Sequence, residues 1–155
     1  MLTPKTLLPA IGLVLLAIAG CQPVAKTSNE APDSASSQIN APKTDTAKPT
    51  ENDATSKVRR DQLNSDIRAR EQRNNTVNKG GTNRSDTDLA SEVRSKLEVN
   101  LPASALAVTA KEGAVVVTGT VPTQAQFDRI ATLAKEIKGV MTVNMKVVVA
   151  PAKPN

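Results

Sequence analysis

The apolar pattern of this 155-residue chain predicts an α+β fold, a small two-layer αββαβ sandwich with two helices on one face of a three-stranded mixed sheet. Three observations carry that expectation. After position 85 apolar residues recur twice at helical spacing. They alternate three times at strand spacing over the same stretch. Between 22 and 84 neither pattern is sustained, so the folded part is expected to be one compact unit at the C-terminal end. The chain divides into residues 1–20, 21–84, 85–150 and a polar tail at 151–155.

The first division opens with one positive charge, Lys5, and an apolar run from Thr6 to Gly20. That run is 15 residues long, short of the roughly 20 that a membrane-crossing helix needs. It reads as the h-region of a secretory signal, with small residues where a peptidase cuts. The run ends in Ile18-Ala19-Gly20-Cys21, and Cys21 is the only cysteine. The tetrad resembles the lipobox of bacterial lipoproteins, although Pro9 within the run departs from the usual pattern. The resemblance implies cleavage between Gly20 and Cys21, a diacylglyceryl group on the thiol and an acyl chain such as palmitate on the new amine. Two or more chains anchor stably, whereas one binds only marginally. Gln22 stands where an aspartate often retains such proteins at the inner membrane, so the resemblance implies the outer membrane, with the polypeptide in the periplasm. A lone thiol has no partner for an internal disulfide.

From Gln22 to Arg84 the large apolar residues are Val24, Ile39, Val58, Leu63, Ile67 and Val77. So few cannot offset the entropy of ordering the segment by themselves. The expectation is a disordered tether with a reach of roughly 40–50 Å, with room for a short helix around Asp61 to Arg73. Its second half is basic. Lys57, Arg59, Arg60, Arg68, Arg70, Arg73, Lys79 and Arg84 face only Asp61, Asp66 and Glu71, whereas 85–150 has equal numbers of basic and acidic residues. The net charge of +5 therefore belongs to the stretch just before the folded unit. Two readings of that stretch remain open: a solvated spacer, or an auxiliary contact with anionic phospholipid worth about 1 kcal/mol per cation near the surface.

Ser85 with Asp88 is spaced as a helix N-cap and its partner three positions on. Leu89, Ala90, Val93 and Leu97 then form the apolar stripe of a first helix, which Asn100 and Pro102 end. Leu106, Val108 and Ala110 are the inward set of a first strand, Glu112-Gly113 a tight turn, and Val115, Val117, Gly119 and Val121 the inward set of a second. Gly119 itself reads as a place where the strand bends or a helix passes closely. Pro122 stops that strand, and Thr123 with Gln126 caps a second helix whose stripe is Phe127, Ile130, Ala131, Ala134 and Ile137, with Gly139 as its C′ residue. Met141, Val143, Met145, Val147 and Val149 alternate as a third strand. Strand, helix and strand make a right-handed crossover, so the third strand is expected parallel to the second.

Asp86 to Arg94, Gly113 to Val121 and Ile137 to Val147 together resemble the BON domain of bacterial envelope proteins. The shared positions are packing residues and the three glycines 113, 119 and 139. They speak to fold and not to chemistry. The resemblance implies a phospholipid-associated module that supports envelope integrity.

The residues themselves offer little to catalysis. Residues 85–150 have no His, Cys or Tyr, and none of the carboxylates has an evident inward-facing partner, Glu92 facing Lys96 one turn on. No enzyme, no metal and no cofactor beyond the covalent lipid on Cys21 is expected. A single aromatic residue, Phe127, gives no stacking platform for nucleic acid. Candidate lipid-contacting residues are Lys57, Arg59, Arg60, Arg68, Arg70 and Arg73 in the basic stretch, and Lys135 and Lys138 at the end of the second helix. The competing expectation is a scaffold that binds an envelope protein or peptidoglycan. Its surface would be the sheet face opposite the helices, where Val116 and Val148 are ringed by Thr118, Thr120, Thr142, Asn144 and Lys146.

Overall fold

A computed structural model describes residues 24–154. Cys21, Gly20 and the leader before them lie outside the described residues. Eight elements follow in order: β1 (Ala25–Lys26), α1 (Thr44–Thr55), α2 (Lys57–Val77), α3 (Asp86–Asn100), β2 (Ala105–Lys111), β3 (Ala114–Val121), α4 (Gln124–Lys135) and β4 (Thr142–Val149). The five elements from α3 onward are the expected αββαβ unit. Ser85 accepts a hydrogen bond from the Asp88 amide and Thr123 one from the Gln126 amide, as the capping patterns require. In the two-residue turn, Glu112 and Gly113 both have positive φ (49° and 82°), the geometry that matches the twist of a hairpin. β3 pairs antiparallel with β2 and parallel with β4, so the sheet is mixed.

The main core lies between the sheet and the pair α3 and α4. Leu89, Val93, Leu97, Leu106, Val108, Val115, Val117, Val121 and Ile130 are all buried there. At about 25 cal/mol per Å² of apolar surface, this burial is the principal source of stability. Helix α4 stops at Lys135, earlier than its apolar stripe suggests, and Ile137 is buried from the turn that follows. Gly119 has φ 134°, and a Cβ there would sit 2.0 Å from the Ala105 carbonyl oxygen. The close approach comes from the neighbouring strand β2, not from a helix.

Three strands and two helices were expected, and the described residues form four of each. The added elements come from the stretch expected to be a disordered tether. Counting apolar residues tested whether that stretch could build its own core; its order instead comes from docking on the C-terminal unit. β1 pairs antiparallel with β2 and extends the sheet, with Ala25 opposite Val108. Thr27 follows, its hydroxyl donating to the Ser104 carbonyl and accepting from the Leu106 amide. Ala31 packs on Ala105 and Ala107, covering the face of the sheet that the two helices leave open. Lys153 of the tail accepts from the Thr44 amide and donates to the Pro42 carbonyl, pinning the start of α1.

Candidate functional surfaces

Helix α2 is the element on which most candidate residues fall. It runs 21 residues, begins with Ser56 capping the Arg59 amide, and buries only Leu63 and Asn74. A helix with so little apolar surface is held by something other than a hydrophobic stripe. It packs against α3, and the seam between them is ionic. Arg59 reaches Glu98 at 2.7 Å, Arg70 bonds both Asp66 and Asp88, and Arg73 joins Asp88 at 2.9 Å. From the α3 side Arg94 pairs with Glu98 at 2.9 Å, and Ser95 donates to Asp66. Burial on its own would raise the Asp88 carboxyl. Ser85, Arg73 and Arg70 more than offset it and hold the group below its ordinary value. Asp66 is likewise lowered, burial being outweighed by Arg70, Ser95 and Arg94.

The eight candidate lipid contacts therefore separate. Arg59 and Arg70 face inward onto carboxylates of the folded unit, and Arg73 reaches Asp88 from an exposed position. Lys57 is exposed but paired with Asp61. Arg60 and Arg68 point outward from α2. Lys135, the last residue of α4, and Lys138 just after it are exposed, and the Lys138 ammonium lies near the turn at Gly80, next to Lys79. Outward basic residues are thus divided between the exposed side of α2 and the corner where the Lys79–Gly80 turn meets Lys138.

Glu92 departs from its expected place. It is fully buried and pairs with Arg84, whose side chain is also buried, rather than with Lys96, which instead reaches Glu136 at 2.6 Å. Arg84 also donates to the Lys138 carbonyl. Burial pushes the Glu92 carboxyl up, and Arg84 works against that shift. Glu92 Oε1 and Arg84 Nε have no partner among the described residues, so the pair is only partly satisfied. Helical spacing made Glu92 and Lys96 look like neighbours; nothing in the spacing signalled an arginine before the N-cap folding under the helix. A cleft of about 340 Å³ opens beside this pair, lined by Arg73, Asn74, Val77, Asn78, Asn83 and Arg84 among others.

The expected scaffold face is reduced. Thr118 and Thr120 are buried, because the segment around Ala31 lies over their part of the sheet. Lys146 donates to the Ala35 carbonyl from the same face. Val116 is half-buried, and Val148 remains 50% exposed. Among the described residues no cluster of His, Cys, Asp or Glu could hold a metal ion, and no helix is long and apolar enough to cross a membrane.

The BON domain family model matches residues 85–151. Residues 85–151 are a BON domain. The matched span starts at the α3 N-cap and ends after β4, so the family unit coincides with the five-element core and leaves α1 and α2 as additions to it. No curated protein and no solved structure matches the chain. BON domains are an envelope-associated, phospholipid-binding and generally non-catalytic family.

Proposed function

We propose that this chain is a non-catalytic envelope lipoprotein whose BON domain associates with phospholipid surfaces, held at the outer membrane by lipid on Cys21. The family match over 85–151 is the observation that carries the reading. The lipobox-like tetrad before Cys21 supports the anchor and the periplasmic location. The ionic seam refines which residues serve. Arg59 and Arg70 are turned onto α3 carboxylates, and Arg73 and Lys57 are exposed but ion-paired, which favours Lys135 and Lys138 as the lipid-facing set, with Arg60 and Arg68 as the auxiliary contact.

Flotation with phosphatidylglycerol and phosphatidylcholine liposomes tests this on the unlipidated Gln22–Asn155 chain. Preferential flotation with the anionic liposomes is expected, each cation near the surface contributing about 1 kcal/mol. Lys135→Gln with Lys138→Gln should weaken it more than Arg70→Gln does. Equal recovery with both liposomes, or none with either, would end the lipid reading. Deleting 22–84 is a poor control, because it strips α2 from Asp88 and Glu98 and uncovers Ala105 and Ala107.

A further inference from the structure

The two edges of the sheet are built differently. On one side β1 is two residues long, a short edge that offers little to a second chain. On the other side β4 runs eight residues, Thr142–Val149, without proline, and Lys146 is its only charge. Among the described residues nothing pairs with its outer side.

The free backbone groups can be assigned by parity. Within the strand pairing, the Ala150 amide donates to the Val121 carbonyl at the end of β3 and the Thr142 amide to the Gly113 carbonyl just before it, which also accepts from Met141 ahead of β4. Strand residues alternate in the direction their N–H and C=O groups point. The even-numbered residues from 142 to 150 therefore face β3, and Val143, Met145, Val147 and Val149 direct both backbone groups outward. The same odd residues are only partly buried against the core, leaving apolar surface at the rim.

We propose that β4 pairs with β4 of a second copy of this chain, antiparallel about a two-fold axis at Met145, joining two sheets into one. In that register Val143 pairs with Val147 of the second copy and Met145 with Met145, all three being residues whose free groups point outward. Every outward N–H then meets an outward C=O, as hydrogen-bonded antiparallel pairs require. Lys146 falls opposite Asn144, which can accept from it. The neighbouring register centred on Lys146 would set two ammonium groups face to face, an arrangement that destabilises a cross-strand pair. Self-complementarity of this kind is what a two-fold interface demands, and it makes a second copy the fitting occupant rather than an unrelated peptide. The inference stands apart from the phospholipid reading, since no lipid takes part in it.

The experiment is sedimentation equilibrium of the full chain carrying Cys21→Ser, in density-matched detergent. A reversible dimer is expected, with Kd in about the micromolar to sub-millimolar range suited to a small interface. Asn144→Lys faces Lys146 twice across the axis and should weaken the dimer about three- to tenfold, an effect that salt relieves; Asn144→Asp should tighten it. Val147→Pro removes an amide that β3 does not use, so it should abolish the dimer while the circular dichroism stays unchanged. Met145→Cys on the axis should form an intermolecular disulfide on mild oxidation, since paired Cα atoms there are about 5.5 Å apart. A chain that stays monomeric to about 1 mM overturns the proposal. So does a dimer indifferent to both Asn144 substitutions.

Discussion

Helix α3 is packed on two sides by two different kinds of chemistry. Toward the sheet, Leu89, Val93 and Leu97 enter a dry core shared with β2, β3 and α4. Toward α2, the same helix presents Asp88, Glu92, Ser95 and Glu98 to a row of arginines, and the only large apolar side chain that α2 buries is Leu63. Burial of apolar area is non-directional and collectively large. Ion pairs with partial exposure contribute about 0–1 kcal/mol each and weaken in salt. The sheet side of α3 should accordingly set global stability, and the α2 side should open first. Where the seam becomes fully buried, at Arg84 and Glu92, the expected behaviour changes again.

The largest effect is expected at that buried pair. Arg84→Met removes the cation that, among the described residues, alone is bonded to the fully buried Glu92 carboxylate. Breaking a buried pair from one side costs about 3–5 kcal/mol, because the remaining charge is left uncompensated. Arg84→Met combined with Glu92→Leu should recover most of that loss, since well-packed apolar replacements of a buried pair are often neutral or stabilising. Urea denaturation midpoints of the two variants measure the difference. Equal destabilisation in both would mean that Arg84 acts through its hydrogen bond to Lys138 rather than through Glu92.

A smaller effect is expected within the ionic seam. Arg70 is mostly buried and bonded to Asp66 and Asp88. Arg70→Gln should lower global stability by only about 1 kcal/mol. Amide exchange should show more than the midpoint does: protection falls through 57–77 while β2 and β3 keep theirs, because elements with few buried apolar contacts open separately. Uniform loss of protection across both regions would show that α2 and the sheet unfold as one unit, and the contrast between the two sides of α3 would fail.

The same contrast explains how far the sequence could be read. Apolar periodicity located α3, β2, β3, α4 and β4, because their inward residues form a core whose spacing follows the helix and strand repeats. Leu106, Val108 and Ala110, or Met145, Val147 and Val149, announce their strands without reference to any partner. Of helix α2 only room for a short helix around Asp61 to Arg73 was legible, and its docking was not, since the signal of that docking is a match between Arg59 or Arg70 on one segment and Glu98 or Asp88 on another. Charge complementarity between distant segments has no period. The excess of basic residues in 57–84 was legible, but its use was not: three of the candidate lipid contacts are paired with carboxylates of α3, two of them facing inward. Thr27 and Ala31 were harder still, because what they recognise is the open sheet face beside Leu106, Ala105 and Ala107.

The smallest effect is expected from pH, and its sign separates the two kinds of carboxylate in the seam. Asp66 and Asp88 have folded-state pKa values below the ordinary 3.8. Their contribution is complete above pH 3.8 and is lost as pH falls through the lowered values, because the unfolded chain binds protons first. Glu92 runs the other way. Burial raises it above the ordinary 4.5, so the folded chain takes up its proton first and the cost of holding that charge is relieved as pH falls toward 4.5. Acidification should therefore not loosen α2 until Asp66 and Asp88 begin to titrate. Amide exchange of 57–77 followed downward from neutral pH, corrected for intrinsic rates, is expected to hold steady to about pH 4 and then rise. In Asp88→Asn the rise should shrink. If it began instead above the ordinary 4.5, the protonation of Glu92 would be what releases α2, and the buried pair rather than the ionic row would be the element holding the helix in place.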